Sequence, residues 1–189
     1  MTKQNAEIVD VSNIAGNASG DIKRTLANYR LYRGLSQTED PDIDSIFGRS
    51  IQKSLRFVEI SIKNHVEESQ RLEGRVVLEL DVSKGMLNEV GILHGGCSAY
   101  LVDITSAYAL SALHLHLTGR MLHSVSQMLA ILYHSPALKG EKLRLVNQTL
   151  FLDGTAISAR TEIWNVTKHC LVASGVHSKM VPSSVKAML

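Results

Sequence analysis

Only two cysteines, Cys97 and Cys170, occur in the 189 residues. So widely separated a pair builds no disulfide framework and lacks the spacing of a metal-ligand set, which favours a reducing compartment. Charge of one sign is equally scarce. The formal net charge is +2, and the basic residues are spread along the chain without forming a block, so neither a nucleic-acid partner nor an anionic membrane surface is expected. No run approaches the ~18 consecutive apolar residues of a membrane-spanning helix. The first twenty residues hold no apolar core segment and no arginine, and they carry Glu7 and Asp10. No signal or transit peptide is therefore expected there. The closing "KAML" is no peroxisomal address, because "SKM" lies internally at 178 to 180. Cytoplasm is the default expectation, with the mitochondrial matrix left open. Internal repeats and low-complexity tracts are also missing.

What is present has the apolar and charged fractions of an ordinary globular protein, 44 % and 20 %. The expected division is an N-terminal extension over residues 1–45 and one domain over 46–189. Residues 1 to about 19 are small and polar and read as mobile. "DIKRTLANYRLYRGL" predicts a helix capped at Asp21, with Ile22, Leu26, Tyr29 and Tyr32 or Arg33 at helical spacing and Gly34 as its stop. "SQTEDPDIDS" is an acidic linker, after which Asp44 or Ser45 caps a second short helix. These first residues fit either a tail packed on the surface or an arm that binds a partner.

From residue 56 the period changes. "RFVEISIKN" and "GRVVLELDV" alternate apolar with polar, the latter placing Val76, Leu78, Leu80 and Val82 opposite Val77, Glu79 and Asp81. Such alternation marks half-buried strands. A run from about Cys97 to Leu117, rich in Ala, Leu and Ser and closed by Gly119, has no alternation and suits a helix buried on most of its surface. Four strand-like segments follow, separated by turn signals at Ser135-Pro136 with Lys139-Gly140, at Asp153-Gly154 and at "NVTKH". One long helix among antiparallel strands is an α+β arrangement in which the sheet wraps the helix.

The chemistry concentrates in "NEVGILHGGCSAYLVDITSAYAL", residues 88–110. Gly95 and Gly96 open the long helix, and without side chains they let a ligand approach backbone N–H groups at its positive end. A carbonyl oxygen that becomes an oxyanion suits such a site; a tight loop-to-helix turn explains the same glycines. Asp103 lies at i+8 from Gly95, on roughly the same helix face. An isolated carboxylate in an apolar helix is costly unless paired, solvated or used. It can serve as a general base toward water or as a nucleophile, or simply face solvent. Cys97 is most simply a packing residue, Ser98 a cap-region hydroxyl, and Trp164 a core or interface residue. Eight histidines invite a metal, but His114 and His116 sit two apart on a helix. His123, His134, His169 and His177 are scattered, so no metal site is expected.

"N-x-x-G-x-L-H-G-G" followed by "L-V-D" resembles the hotdog-fold thioesterases of the phenylacetic-acid-degradation type, and within them the acyl-CoA thioesterase 13 (thioesterase superfamily member 2) branch. The likeness continues through Val125, Ser126, Tyr133, Ser135, Pro136 and Ala137, Gly140 and Glu141, and the closing "SGVHSK", covering about residues 45 to 181. It implies a hotdog fold and hydrolysis of an acyl-CoA to free acid and CoA, with no cofactor beyond the CoA of the substrate. Asp103 would be the base or nucleophile and the Gly95 amide would polarise the thioester carbonyl. Asn88 and His94 would shape the site, and Ser126 would orient the lytic water. The resemblance further implies a homodimer, pairing into a homotetramer, whose site draws Asp103 from one subunit and Asn88, His94 and Gly95 from the other. Tyr133 and the loop Phe151, Leu152, Asp153, Gly154 and Thr155 would meet CoA. That loop departs from the family, since a carboxylate at Asp153 repels phosphate. His177 and Lys179 fit either positive charge for CoA or the solvation of an edge strand. Two rival functions stand beside hydrolysis: a hotdog dehydratase or hydratase, and an acyl-CoA-binding module without catalysis.

Overall fold

The computed structural model describes residues 9–28, 45–154 and 156–182. Six strands form one antiparallel sheet: β1 (Arg56–Asn64), β2 (Leu72–Asp81), β3 (Val125–Tyr133), β4 (Lys142–Asp153), β5 (Ala156–Asn165) and β6 (Cys170–Met180). Their spatial order is β1-β2-β4-β5-β6-β3. The sheet curls around the long helix α3 (Gly95–Thr118), which ends at Gly119 in the left-handed conformation that glycine takes without strain. This is the α+β hotdog architecture. No helix among the described residues is long and apolar enough to cross a membrane.

The alternation in β2 is realised as expected. Val76, Leu78, Leu80 and Val82 are all buried under the helix. From Cys97 to Leu113 most of α3 is buried, too. Its N-terminal half packs with Leu80, Leu143, Leu145 and Ile163, its C-terminal half with Ile60, Val76 and Leu78. Where α3 crosses β2, a Cβ on Gly74 would lie 2.4 Å from the Ala109 carbonyl, so only glycine permits that approach. One polar knot crosses this interface. Asn147 Oδ1 accepts from Thr105 Oγ1 (2.8 Å) and from Thr161 Oγ1 (2.6 Å), while its Nδ2 donates to the Val76 carbonyl (3.1 Å).

Near the N-terminus the structure differs from expectation. Residues 11–19 are docked. Ile14 and Ala18 are buried, and Ala15 pairs with β1 as a short parallel bridge. Asn17 accepts from the Ile62 N–H and donates to its carbonyl, both at 2.7 Å. Helix α1 (Gly20–Ala27) is capped by Ser19 rather than Asp21, which instead sits in the first turn. Serine holds the cap because its hydroxyl reaches the Ile22 N–H from extended backbone. Helix α2 (Arg49–Ser54) starts after Gly48 rather than at residue 44 or 45. Gly48, at φ +69°, is in the left-handed region and cannot continue a helix upstream, and a Cβ there would run into the Tyr100 ring. Tyr29, Tyr32, Arg33, Gly34, Asp44 and most of the acidic linker lie outside the described residues.

Leu26 is 1 % exposed and shares a cluster with Ile60, Tyr108 and Ala109. Leu26→Ala should therefore cost about 2–4 kcal/mol in denaturant unfolding. A loss below about 0.5 kcal/mol would show that this segment adds nothing to the folded domain.

Candidate active site

The entrance to α3 is a small hydrogen-bonded scaffold. Asn88 Oδ1 accepts the N–H groups of Val90 (3.2 Å) and Ile92 (3.1 Å), closing the turn before the helix. Leu93 donates to the Ala137 carbonyl and His94 to that of Met86, both at 2.8 Å. The loop bearing Ala137 is itself anchored by Glu141, which accepts from the Leu138 N–H (2.8 Å) and Asn165 Nδ2 (2.6 Å) and pairs with Lys168 (2.8 Å). Burial alone would raise the Glu141 pKa, but Lys168 and those hydrogen bonds hold it below the usual carboxylate range.

His94 caps the helix, its Nδ1 accepting the Gly96 N–H at 2.8 Å. A Cβ on Gly96 would come within 3.0 Å of that nitrogen, so the imidazole cap favours glycine there. The Gly95 N–H has no hydrogen-bond partner among the described residues. Its carbonyl accepts from the Tyr133 hydroxyl at 3.1 Å, which lays the Tyr133 ring against the helix start. The result is a free backbone donor at the positive end of a long helix.

Asp103 sits two turns further on, its side chain 41 % exposed. Ser126 of β3 donates to Oδ1 at 3.1 Å. His177 of β6 brings Nε2 within 3.3 Å of the same oxygen without hydrogen-bond alignment. Its Nδ1 meets Ser106 Oγ at 2.7 Å. Lys179 donates to Ser126 Oγ at 3.2 Å. Oδ2 of Asp103 has no hydrogen-bond partner among the described residues, so one lobe of the carboxylate is held and the other is open.

The structure therefore brings Asp103 together with Ser126, and Asn88, His94, Gly95 and Tyr133 together at the helix start. It does not join the two groups within one chain, because eight residues of helix span about 12 Å. Phe151, Leu152, Asp153 and Gly154 lie at the tip of the β4–β5 hairpin, and Thr155 is outside the described residues. Beside that tip a cleft of about 360 Å³ is lined by Arg71, Leu113, Leu117, Phe151, Leu152 and Asp153. Leu113 is about 27 Å along the helix from Gly95, so this hairpin and Tyr133 occupy opposite ends of the same chain.

The strand solvation considered for His177 and Lys179 does not hold. β6 runs between β5 and β3, not at an edge, and the two side chains are 0 % and 8 % exposed. They share the inward face of β6 with Ala173 and Gly175, a period-two signal that mixed small and polar residues disguise. Cys97 is buried, and burial pushes its thiol up to about 11, which leaves it a packing residue. Trp164 is no core residue. It is 37 % exposed on the outer face of β5, where its Nε1 donates to Glu162.

The thioesterase superfamily model matches residues 90–171, a span that holds His94, Gly95, Asp103, Ser126 and Tyr133. Mouse acyl-coenzyme A thioesterase 13 is 34 % identical over 105 residues, which cover 56 % of this chain and 71 % of the relative. The crystal structure of zebrafish thioesterase superfamily member 2 superposes with a TM-score of 0.61 at 25 % identity, over 81 % of this chain and 94 % of that one. The E. coli PaaI protein from the phenylacetic acid degradation operon, 19 % identical, shares the fold with a TM-score of 0.56 over 76 % of this chain and 91 % of its own. The chain belongs to the thioesterase superfamily, and is a thioester hydrolase built on the hotdog fold.

Burial holds the His177 pKa below the ordinary histidine value, the Lys179 ammonium adds to this, and Asp103 opposes it. A histidine buried in its neutral form binds its proton more readily when unfolded. Stability should therefore fall as pH drops below the unfolded value of about 6.5, with a slope of at most ~1.4 kcal/mol per pH unit for one proton. Chemical denaturation at pH 7.5 and 5.5 should show this loss in the wild type and a smaller one in His177→Gln. Equal losses in both proteins would remove His177 as the source.

Proposed function

We propose that this chain hydrolyses an acyl-CoA thioester to the free carboxylic acid and CoA. The observation that carries the reading is the half-exposed Asp103 carboxylate, with Oδ1 fixed by Ser126 and Oδ2 without a hydrogen-bond partner among the described residues. Water placed at Oδ2 gives up a proton to Asp103 as its oxygen attacks the thioester carbon. The tetrahedral oxyanion then accepts the Gly95 N–H, a contact of the kind worth about 3–4 kcal/mol. Collapse breaks the carbon–sulfur bond, and the departing thiolate takes the proton back from Asp103. Every atom is supplied by substrate, water and side chains, so the reaction as proposed calls on no cofactor or metal. The acyl-CoA substrate class is supported by the name of the mouse relative.

The separation of Asp103 from Gly95 favours a site shared between two copies, with Asn88, His94 and Gly95 of one facing Asp103 of the other. The open edge strand β3 supports this pairing. It exposes Val125, Met128 and Leu132 on its outer face and Tyr133 on the inner one, apolar surface that an isolated sheet edge rarely leaves uncovered. Tyr133, packed on Gly95, would then stand at the mouth of the shared cleft. Phe151, Leu152, Asp153 and Gly154 would reach CoA only from the chain whose hairpin lies beside that mouth.

Thiol release from short, aromatic and long acyl-CoAs should be measurable for the wild type, and should fall about 10²–10⁴-fold in Asp103→Asn. Binding without turnover by the wild type would overturn hydrolysis in favour of a binding module. The shared site has its own test. Asn88→Asp keeps the Oδ1 contacts of the loop but sets a second negative charge beside the developing oxyanion, and should also be inactive. Remixing it with Asp103→Asn through unfolding and refolding should recover about a quarter of wild-type activity, because half of the dimers then hold one intact site. Recovery of none would place both residues in one chain's site.

A further inference from the structure

Ser126 stands between a group that can only donate and a group that can only accept. Lys179 Nζ lies 3.2 Å from Ser126 Oγ, and Ser126 Oγ lies 3.1 Å from Asp103 Oδ1. An ammonium has three donors and no acceptor, and an ionised carboxylate has acceptors alone. With one proton on the hydroxyl, only one arrangement satisfies both neighbours: Lys179 donates to Ser126, and Ser126 donates to Asp103. Without the lysine the hydroxyl is free to rotate, and it can turn its proton toward water or a backbone carbonyl instead.

The placement is built into the sheet. Ser126 and Lys179 are directly paired across β3 and β6, and the register shifts immediately after Ser126, between it and Met128. Such a bulge re-aims side chains and is common beside active sites. Lys179 is 8 % exposed. Its ammonium is thereby held on the inward face of β6, within reach of the Ser126 hydroxyl. His177, two residues earlier on the same inward face, packs against the other side of Asp103 Oδ1 and is pinned by Ser106. The titratable groups that face Asp103 from β6 are thus His177 and Lys179, while β3 contributes the Ser126 hydroxyl.

We infer that Lys179 is a positioning residue for hydrolysis: its buried ammonium locks the Ser126 hydroxyl as a donor to Asp103 Oδ1, which reserves Oδ2 for the lytic water. This inference rests on Asp103 acting as the base. Its effect falls on the chemical step and not on substrate binding, because the Lys179–Ser126 contact lies behind the carboxylate lobe that faces the water.

The test is a set of full-length variants assayed with the acyl-CoA that the wild type turns over best. Lys179→Met removes the donor at similar length, and Lys179→Leu is carried beside it as a second donor-free side chain should the methionine form not fold. Both should lower kcat about tenfold or more while KM stays within about twofold. Lys179→Arg, still a pure donor, should recover kcat to within about threefold of wild type. The coupling is decisive. In a Ser126→Ala background the same lysine replacements should cost less than about threefold, since the group they act through is gone. An unchanged kcat, a fall of equal size with and without Ser126, or no recovery by arginine in a folded protein would overturn the inference. Asp103→Asn, run in the same assay, separates the two readings. If it is inactive while the lysine variants match wild type, only the role of Lys179 fails; if it retains wild-type turnover, both readings fail.

Discussion

The amide of Asn147 ties the central helix to the sheet in one register, beside the Ser106–His177 contact. Its oxygen is claimed by Thr105 from the helix and by Thr161 from the neighbouring strand, and its nitrogen by the backbone of β2. Sliding the helix by one turn would part Thr105 from the Asn147 oxygen, a loss of about 0.5–1.5 kcal/mol, while Thr105 keeps the Leu101 carbonyl of its own helix (2.7 Å) and Asn147 keeps its partners in the sheet. Hydrophobic contacts between α3 and the sheet would tolerate such a slide far better, since burial is not directional. Asp103 precedes Thr105 by two residues, so the knot that fixes the helix also fixes the carboxylate opposite Ser126 and His177. The site is precise because a polar contact in an apolar interface is.

A second set of constraints holds the helix entrance. The glutamate at 141 secures the loop that carries Ala137, Ala137 secures Leu93, and the turn at Asn88 delivers His94 to cap the helix. The Gly95 donor is therefore held by the sheet end, while the carboxylate is held by the sheet middle. Two independently anchored halves are a reasonable construction for chemistry that needs a fixed donor and a fixed acceptor with a ligand between them.

Much of this was legible in the sequence. Period-two alternation located β1 and β2, the absence of alternation located α3, and the His-Gly-Gly turn followed by Asp103 marked the candidate site. The docking of residues 11–19 was not legible, because Ile14 and Ala18 follow neither helical nor strand periodicity and are buried only by contact with β1. Nor was the burial of His177 and Lys179. A last strand joined by a short turn to its predecessor is easily taken for an edge, and the crossover that brings β3 back beside β6 leaves no local signature. Once β6 is interior, its polar inward residues must be doing something that water would otherwise do.

The short parallel bridge at Ala15 has a consequence for growth. An edge strand is an invitation to add another strand, and this sheet has two edges. The backbone of residues 15–18 occupies the N–H and C=O groups of β1 near Val58 and Ile60, and Asn17 occupies those of Ile62. One side of the sheet is thereby stoppered, while the outer edge of β3 pairs with no other strand among the described residues. Strand addition at β1 would have to displace residues 15–18, so the N-terminal segment restricts extension of the sheet to its β3 side.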